Sequence, residues 1–366
     1  MTGPLDLTNP QHFELYSLHS VDAQYINLCD ALLTQGTHES DPERTTDTWH
    51  TLIGIGFQLS NTNIAFPALL SKRVNVRAAI DESCWFARGE TNIATLGSKI
   101  WNEWADEEGE NGPIYGFQYR NWPDIKVFNT VEGMIEQHIP PAMIERISKE
   151  INRMKAQGYI ETALPDGRVL YEGYIDQYAD ALRQIMARSR SRRIRVQAFN
   201  PGYVGMQSLP PCHTEFEFNV TKATAYEIAQ MEARSMRPDA DSLHIVVTMR
   251  SNDALLGRPF NIVGYSAMHQ LFAKWAGLNV GSFTLNVTNM HMYDHHREAY
   301  AQQREQWLEL QTQMQTTGKP VVYPTLEITD DILGLTPEEL LDNVNVDWFE
   351  LVDYSPKPAV KGRVTK

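Results

Sequence analysis

Residues 244–275 read HIVVTMRSNDALLGRPFNIVGYSAMHQLFAKW. The opening positions are rich in β-branched residues and predict a strand over His244–Ser251. Between Tyr265 and Trp275, the side chains of Tyr265, Met268, Leu271, Phe272 and Trp275 align on one stripe of a helix, and Gly277 is a natural stop. The intervening MRSNDALLGRPFN, residues 249–261, combines an arginine, small hydroxyl and amide groups, a carboxylate and a Gly-Arg-Pro turn. Arginine beside serine suits a phosphate monoester, and Asp with Asn can read the polar edge of a base. Taken alone, the same string reads as an ordinary capped loop after a strand.

The rest of the chain alternates in the same way. Residues 74–88 (VNVRAAIDESCWFAR) have helical spacing, with Gly89 near the end. A helix is expected after Pro140–Pro141, with Ile144, Ile147, Ile151 and Met154 on one stripe. Another carries Ile175, Tyr178, Leu182, Ile185 and Met186, and the turn-rich ALPDGR lies between the two. A strand runs from Arg193 to Asn200 with Ile194, Val196 and Ala198 on one face. Residues 1–43 read as a helix plus a surface loop. Strands and long helices alternate irregularly, without repeat or linker, so the fold class is α+β in a single domain, 1–366.

Composition narrows the function classes. The chain has 366 residues, 42% hydrophobic and 21% charged, which is a globular profile. A formal net charge of −14 argues against a nonspecific nucleic-acid binder, and no stable nucleic-acid partner is expected. Cys29, Cys84 and Cys212 are too widely spaced for a disulfide framework or a zinc motif, so no metal is expected. His295–His296 and the acidic run 103–110 read as surface. The N-terminus lacks a basic region followed by an apolar run, and no stretch is long and apolar enough for a membrane helix. A reduced, cytoplasmic location follows as an expectation.

The least ordinary segment is LPPCHTEF, 209–216. Two prolines stiffen the backbone before Cys212 and remove two amide donors. A thiol is nucleophilic only as thiolate, which needs positive charge or a base nearby. Arg192, Arg193, Arg250 and the adjacent His213 are candidates. By itself, Cys212 also reads as a buried, inert cysteine beside a turn.

The order of motifs is more specific. RAAIDESCWFARGETNI, IWNEWADEEGENGPIYGFQYRNW, SRRIRVQAFN, LPPCH, RSNDALLGRPFN, HMY and the closing FELVDYSPKPAVK together resemble the thymidylate synthase family. The similarity covers most of 44–130 and 190–366. Residues 1–43 read as an N-terminal extension and about 131–175 as an insertion. The resemblance implies a central mixed β-sheet packed with helices, and a sheet-to-sheet homodimer.

It also implies roles. Cys212 matches the nucleophile that adds to C6 of a pyrimidine nucleotide, with His213 beside it as a further candidate. Glu82 matches the glutamate that orders water and moves protons, and Tyr115 the tyrosine near C5. Arg44, Arg250 and Ser251 match phosphate ligands; Arg192 and Arg193 match the pair lent to the partner's phosphate. His291 and Tyr293 match groups on the sugar hydroxyl. Trp101, Trp104, Asp253, Leu256, Gly257 and Phe260 match the folate side, with 5,10-methylenetetrahydrofolate as cosubstrate and Asp253 also among the catalytic groups. Asn261 offers a donor and an acceptor, as the O4/N3–H edge of uracil requires, so the nucleotide is expected to be dUMP. Trp101, Trp104, His291 and Tyr293 remain readable as core residues, and His213 as packing beside Cys212.

Three departures bear on the reaction. Met249 stands where synthases usually carry Gln. TLNVTNMHMY resembles the hydroxymethylases of bacteriophages, as does VVTMRSND. The tail ends AVKGRVTK, more polar than a synthase end. These lean towards water capture of the C5 methylene, a deoxyuridylate hydroxymethyltransferase reaction, whereas PCH and FNI are synthase-like. Thymidylate synthesis is the alternative, and a non-catalytic nucleotide- or RNA-binding relative a third. Arg258 departs from the usual apolar residue without an evident role.

Overall fold

The structure is a computed structural model that describes residues 20–43, 45–60, 62–63, 65–232 and 239–365. Its organising element is a six-stranded sheet of β1 (Thr37–Ser40), β2 (Thr48–Leu59), β6 (Ile194–Gln197), β7 (His213–Lys222), β8 (Asp241–Asp253) and β9 (Asn279–Tyr293). The strand order is β1-β2-β9-β8-β7-β6. Only β8 and β9 run parallel, so the sheet is mixed. Period-two alternation explains its faces: Leu243, Ile245, Val247 and Met249 of β8 are buried together with Phe283, Leu285 and Val287 of β9. The intervening side chains, such as Thr248, Thr284 and Asn286, are half-buried or exposed on the other face.

Parallel neighbours need a crossover, and α8 (Gly257–Trp275) supplies it. This helix begins well before Tyr265: the Gly-Arg-Pro expected as a turn is its first turn, where proline costs no hydrogen bond. Strand β8 likewise extends beyond His244–Ser251 at both ends. Helix α2 (Val76–Ala87) lies across α8, and Gly89 ends it with φ +83°, a value glycine adopts without strain. A Cβ at Gly264 of α8 would sit 2.3 Å from the Ser83 Oγ and 3.1 Å from the Ala79 carbonyl. A side chain here would displace the Ser83 hydroxyl and crowd the Ala79 carbonyl, so glycine favours this approach, which brings Glu82 of α2 to the same cavity as Asn261 of α8.

Helix α1 (Val21–Gln35) buries Tyr25, Cys29 and Leu32 in the main core. Helices α3 (Tyr115–Arg120), α6 (Gln177–Met186) and α9 (Arg297–Thr317) contribute Tyr115, Leu182 and Trp307 to the same core. A short β10 (Thr325–Ile328), α10 (Pro337–Asn343) and β11 (Phe349–Val352) complete it, and α7 (Ala225–Glu232) follows β7.

Residues 122–175 form a separate small layer. Strands β3 (Trp122–Phe128), β4 (Ile160–Ala163) and β5 (Val169–Ile175) pair in the order β3-β5-β4. Helix α4 (Val131–Glu136) precedes α5 (Pro141–Ala156), whose Ile151 and Met154 pack beside Tyr159 and Tyr171. The ALPDGR turn is thus a hairpin turn, closed by the Leu164 N–H donating to the Arg168 carbonyl and the Gly167 N–H to that of Leu164. Ile175 belongs to β5 rather than to the following helix. Its spacing from Tyr178 mimics a helical stripe, whereas pairing with Trp122 decides its conformation.

Candidate active site

Cys212 lies at the start of β7, where the β7/β8 register shifts between His213 and Glu215. Bulges of this kind re-aim side chains. The two prolines before it lack N–H groups but keep their carbonyls. Arg250 uses both: its Nε donates to the Pro211 carbonyl at 2.9 Å and its Nη2 to that of Pro210 at 2.8 Å. The guanidinium is thereby fixed with Nη2 3.9 Å from the Cys212 sulfur, a fixed positive charge that favours thiolate. Across the loop, the Cys212 N–H donates to the Tyr115 hydroxyl at 2.7 Å. Cys29 and Cys84 are buried, and burial pushes the Cys29 thiol up to about 12 and the Cys84 thiol further still. Cys212 is the partly exposed cysteine of the three.

His213 points the other way along the strand, into the protein. Burial pushes its pKa down to about 4, opposed by the hydrogen bond it donates to Asn261, so the ring is neutral at pH 7. One nitrogen is 3.1 Å from Asn261 Oδ1 and the other 3.0 Å from the Tyr265 hydroxyl. A neutral imidazole has one N–H. With Tyr265 donating to Nδ1, Nε2–H donates to Asn261 and fixes that amide's orientation. A second lone pair on Oδ1 stays available, and among the described residues Nδ2 faces only the weak acceptor Sδ of Met249 at 3.8 Å. Tyr265, itself 3.4 Å from the Tyr119 hydroxyl, was legible in sequence only as a stripe residue. Its i,i+4 spacing from Asn261 is the signal that places both on one face.

Glu82 closes the cavity from α2. Its Oε1 accepts the Trp101 indole N–H at 2.7 Å. Burial pushes its carboxyl up to about 7, with that hydrogen bond opposing. The cavity, of about 20 Å³, is lined by Glu82, His213, Phe260, Asn261 and Tyr265 among others, and has room for one water. Trp101 is buried against Trp85, Phe86, Trp104 and Tyr115. Trp104, Leu256, Gly257 and Phe260 are half-buried, and all but the glycine pack on the main core. This leaves apolar surface where a flat aromatic ligand can lie.

At the end of β8, Asp253 Oδ1 accepts from the backbone of Leu255 at 2.8 Å and Leu256 at 3.2 Å. His296 Nδ1 is 3.6 Å from the same oxygen. His296 is fully buried, so the expectation of a surface histidine is wrong for it, while its neighbour His295 is half-buried. The C-terminal tail explains this: the Arg363 carbonyl accepts from His296 at 2.9 Å, and Gly362 packs on its ring. The sequence reading missed His296, because the covering segment is remote in the chain.

Ser251 Oγ lies 3.4 Å from His291 Nδ1, and the His291 and Tyr293 rings meet edge-on at 5.1 Å. These residues sit on the paired ends of β8 and β9. Arg44 lies outside the described residues. Arg192 and Arg193 are exposed ahead of β6 and are not brought to Cys212 of their own chain. Ile194 pairs with Phe218, which is roughly 20 Å along β7 from Cys212 at ~3.3 Å per residue. The Arg258 guanidinium lies 4.5 Å from the Phe57 ring centroid. It is buried, which pushes its pKa down to about 10, and its Nε and Nη1 have no hydrogen-bond partner among the described residues.

Among the described residues no helix is long and apolar enough to cross a membrane. The thymidylate synthase family model matches residues 23–366, including the small layer at 122–175.

Proposed function

Since this chain belongs to the thymidylate synthase family and so to the folate-dependent one-carbon transferases, we propose that it converts dUMP, 5,10-methylenetetrahydrofolate and water into 5-hydroxymethyl-dUMP and tetrahydrofolate. Arg250, Ser251 and Arg44 hold the phosphate, His291 and Tyr293 the sugar, and Asn261 the uracil edge. The Cys212 thiolate adds to C6, and electron density moves to C5 and O4. The Asn261 N–H and a water held by Glu82 meet the charge on O4. Glu82, titrating near 7, gives and takes the proton.

The folate supplies the one-carbon unit at the methylene level. Trp101, Trp104, Leu256, Gly257 and Phe260 would flank its ring system, and Asp253 would face its polar edge. Once the C5 methylene has formed and Cys212 is ready to leave, the outcome depends on whether water or hydride reaches it first.

The observation that carries the water reading is the tail. Arg363 and Thr365 both bond the Asp47 carboxylate, and Val364 is 44% exposed. The Arg363 carbonyl caps His296 beside Asp253, so we take the tail as the cover of the folate side; a cover that is polar and solvent-lapped excludes water poorly. The same register that separates Arg192 and Arg193 from their own Cys212 supports a homodimer in which they complete the partner's phosphate site. A second reading, reduction to thymidylate with release of dihydrofolate, is favoured by the synthase-like PCH and FNI strings. Incubation with dUMP and methylenetetrahydrofolate, followed by identification of both products, decides between them. Thymidylate with dihydrofolate would overturn the hydroxymethyl assignment.

A further inference from the structure

We propose that His38, His50 and Asp294 form a binding site for one divalent transition-metal ion of the zinc class. The sequence spacing gives no hint of it, because the topology creates the cluster. In the β1/β2 ladder His38 is directly opposite His50, so both rings emerge on one face, with centroids 4.8 Å apart. His50 in turn pairs with Met292 of β9, and Asp294 follows that strand's end, so its carboxylate arrives at the same edge. His38 Nε2 is 2.7 Å from Asp294 Oδ2, and His50 Nδ1 is 3.5 Å from Oδ1. The three ligand atoms all lie within 4.8 Å of one another.

Donors around one tetrahedral zinc ion, each about 2.0–2.1 Å from it, are about 3.4 Å apart. The observed cluster brackets that spacing, and small rotations of the exposed His38 ring would complete it. Two imidazoles and one carboxylate select zinc-like ions over magnesium or calcium, and leave a fourth position for water. The Thr48 hydroxyl donates to the same Asp294 Oδ2 that faces His38, a supporting contact that orients the carboxylate.

One side chain competes. Arg297 donates from Nε to Asp294 Oδ1 at 2.8 Å, and its Nη2 lies 3.0 Å from His50 Nε2. Its guanidinium therefore occupies space the ion needs. Its side chain is 45% exposed on the first turn of α9, so it can turn out into solvent. Arginine and metal are alternative cations for one carboxylate, and this gives the proposal a signed test. The site also has leverage: Asp294 adjoins Tyr293, and Thr48 adjoins Asp47, which holds the tail. An ion here would clip the edge strand β1 to both.

The experiment uses full-length, tag-free protein stripped with a chelator, then titrated with zinc chloride against a chromophoric chelator; cobalt(II) absorption reports the coordination number. One equivalent per chain is expected. His38→Ala and His50→Ala should each weaken binding by about tenfold or more, and Arg297→Ala should strengthen it several-fold. Zinc should raise the thermal midpoint of wild type but not of the His38→Ala/His50→Ala double variant. His38 is largely exposed, so His38→Ala retains the fold. Equal binding by wild type and the double variant overturns the proposal, as does failure of both wild type and Arg297→Ala to bind.

Discussion

The Trp101 indole donates to Glu82 across 2.7 Å, within a wall of Trp85, Phe86 and Tyr115. Burial raises the Glu82 carboxyl to about 7, whereas the unfolded chain releases that proton near ~4.3. Between those values the folded protein holds a proton that the unfolded chain has lost. On this group's account stability is therefore full below about pH 4.3 and falls as pH rises towards 7. Glu82→Gln should be more stable than wild type at pH 8, on the order of 2 kcal/mol, and equal to it near pH 4. Denaturant unfolding at both pH values measures this. The same variant should lose about 10²- to 10⁴-fold in kcat. An unchanged pH slope would remove Glu82 from the proton-transfer role.

The contrast between Cys212 and the buried Cys29 and Cys84 predicts selective chemistry. An alkylating reagent should modify the native protein once, at Cys212, and inactivate it; dUMP should protect. Cys212→Ser should lower turnover by about three orders of magnitude or more, with dUMP affinity within a few-fold of wild type, because Arg250 stays anchored by the proline carbonyls. Mass spectrometry and equilibrium binding are the readouts.

Arg193 adjoins Ile194, whose partner Phe218 is roughly 20 Å along the strand from Cys212 at ~3.3 Å per residue. If these arginines serve the partner's site, Arg192→Ala/Arg193→Ala and Cys212→Ser proteins should each be nearly inactive alone. Mixed, they should regain activity, since a heterodimer has one site with neither defect. Heterodimers that form, as shown by mass, but do not turn over would place the arginines elsewhere.

Much of this site was legible because its chemistry is local in sequence. LPPCH, RSND and GRPFN each keep several candidate groups within a few residues; period-two alternation exposed β6, and a β-branched run exposed β8. What stayed hidden depends on distant segments. His296 is buried by Gly362 and Arg363, which no local pattern announces. Tyr265 looked like one more apolar position, because its hydroxyl has meaning only once His213 is placed against it. Ile175 sat at helical spacing from Tyr178, yet the β3 pairing overrode it. The His38/His50 pair needs the β1/β2 register before it exists at all.

Asn261 accepts from His213 on Oδ1, and its amide N–H groups face, among the described residues, only the soft sulfur of Met249. Asn261→Asp would lose the donor for O4 of uracil and gain an acceptor for the N4 amino group of cytosine. A mismatched polar pair in a closed pocket costs about 1–3 kcal/mol, or roughly ten- to a hundred-fold in discrimination. The ratio of kcat/KM for dUMP to that for dCMP should shift by this amount towards dCMP. A wild type that already prefers dCMP, or a mutant with full preference for dUMP, would remove Asn261 as the base reader.

The tail anchor gives the sharpest test of the capture step. Arg363 bonds Asp47 through its side chain and His296 through its carbonyl, so one residue ties the tail both to the segment after Arg44 and to the neighbour of Asp253. The hydrogen bond from Arg363 is the largest influence holding the Asp47 carboxyl below its usual range, so the carboxylate stays charged from pH 5 to 8. Arg363→Ala removes the side-chain half and keeps the backbone half. The tail should then spend more time open, raising KM for the folate by about three- to tenfold while dUMP affinity stays constant. If water already captures the methylene in wild type, the product remains 5-hydroxymethyl-dUMP and only the rate falls. If the native tail instead holds a dry site for hydride transfer, Arg363→Ala should turn a thymidylate product partly into the hydroxymethyl one. Quantifying both nucleotides from wild type and Arg363→Ala, with the exposed Lys361→Ala as control, therefore reads the tail's role directly. No change in folate KM or in products would mean that the Asp47 contact does not govern closure.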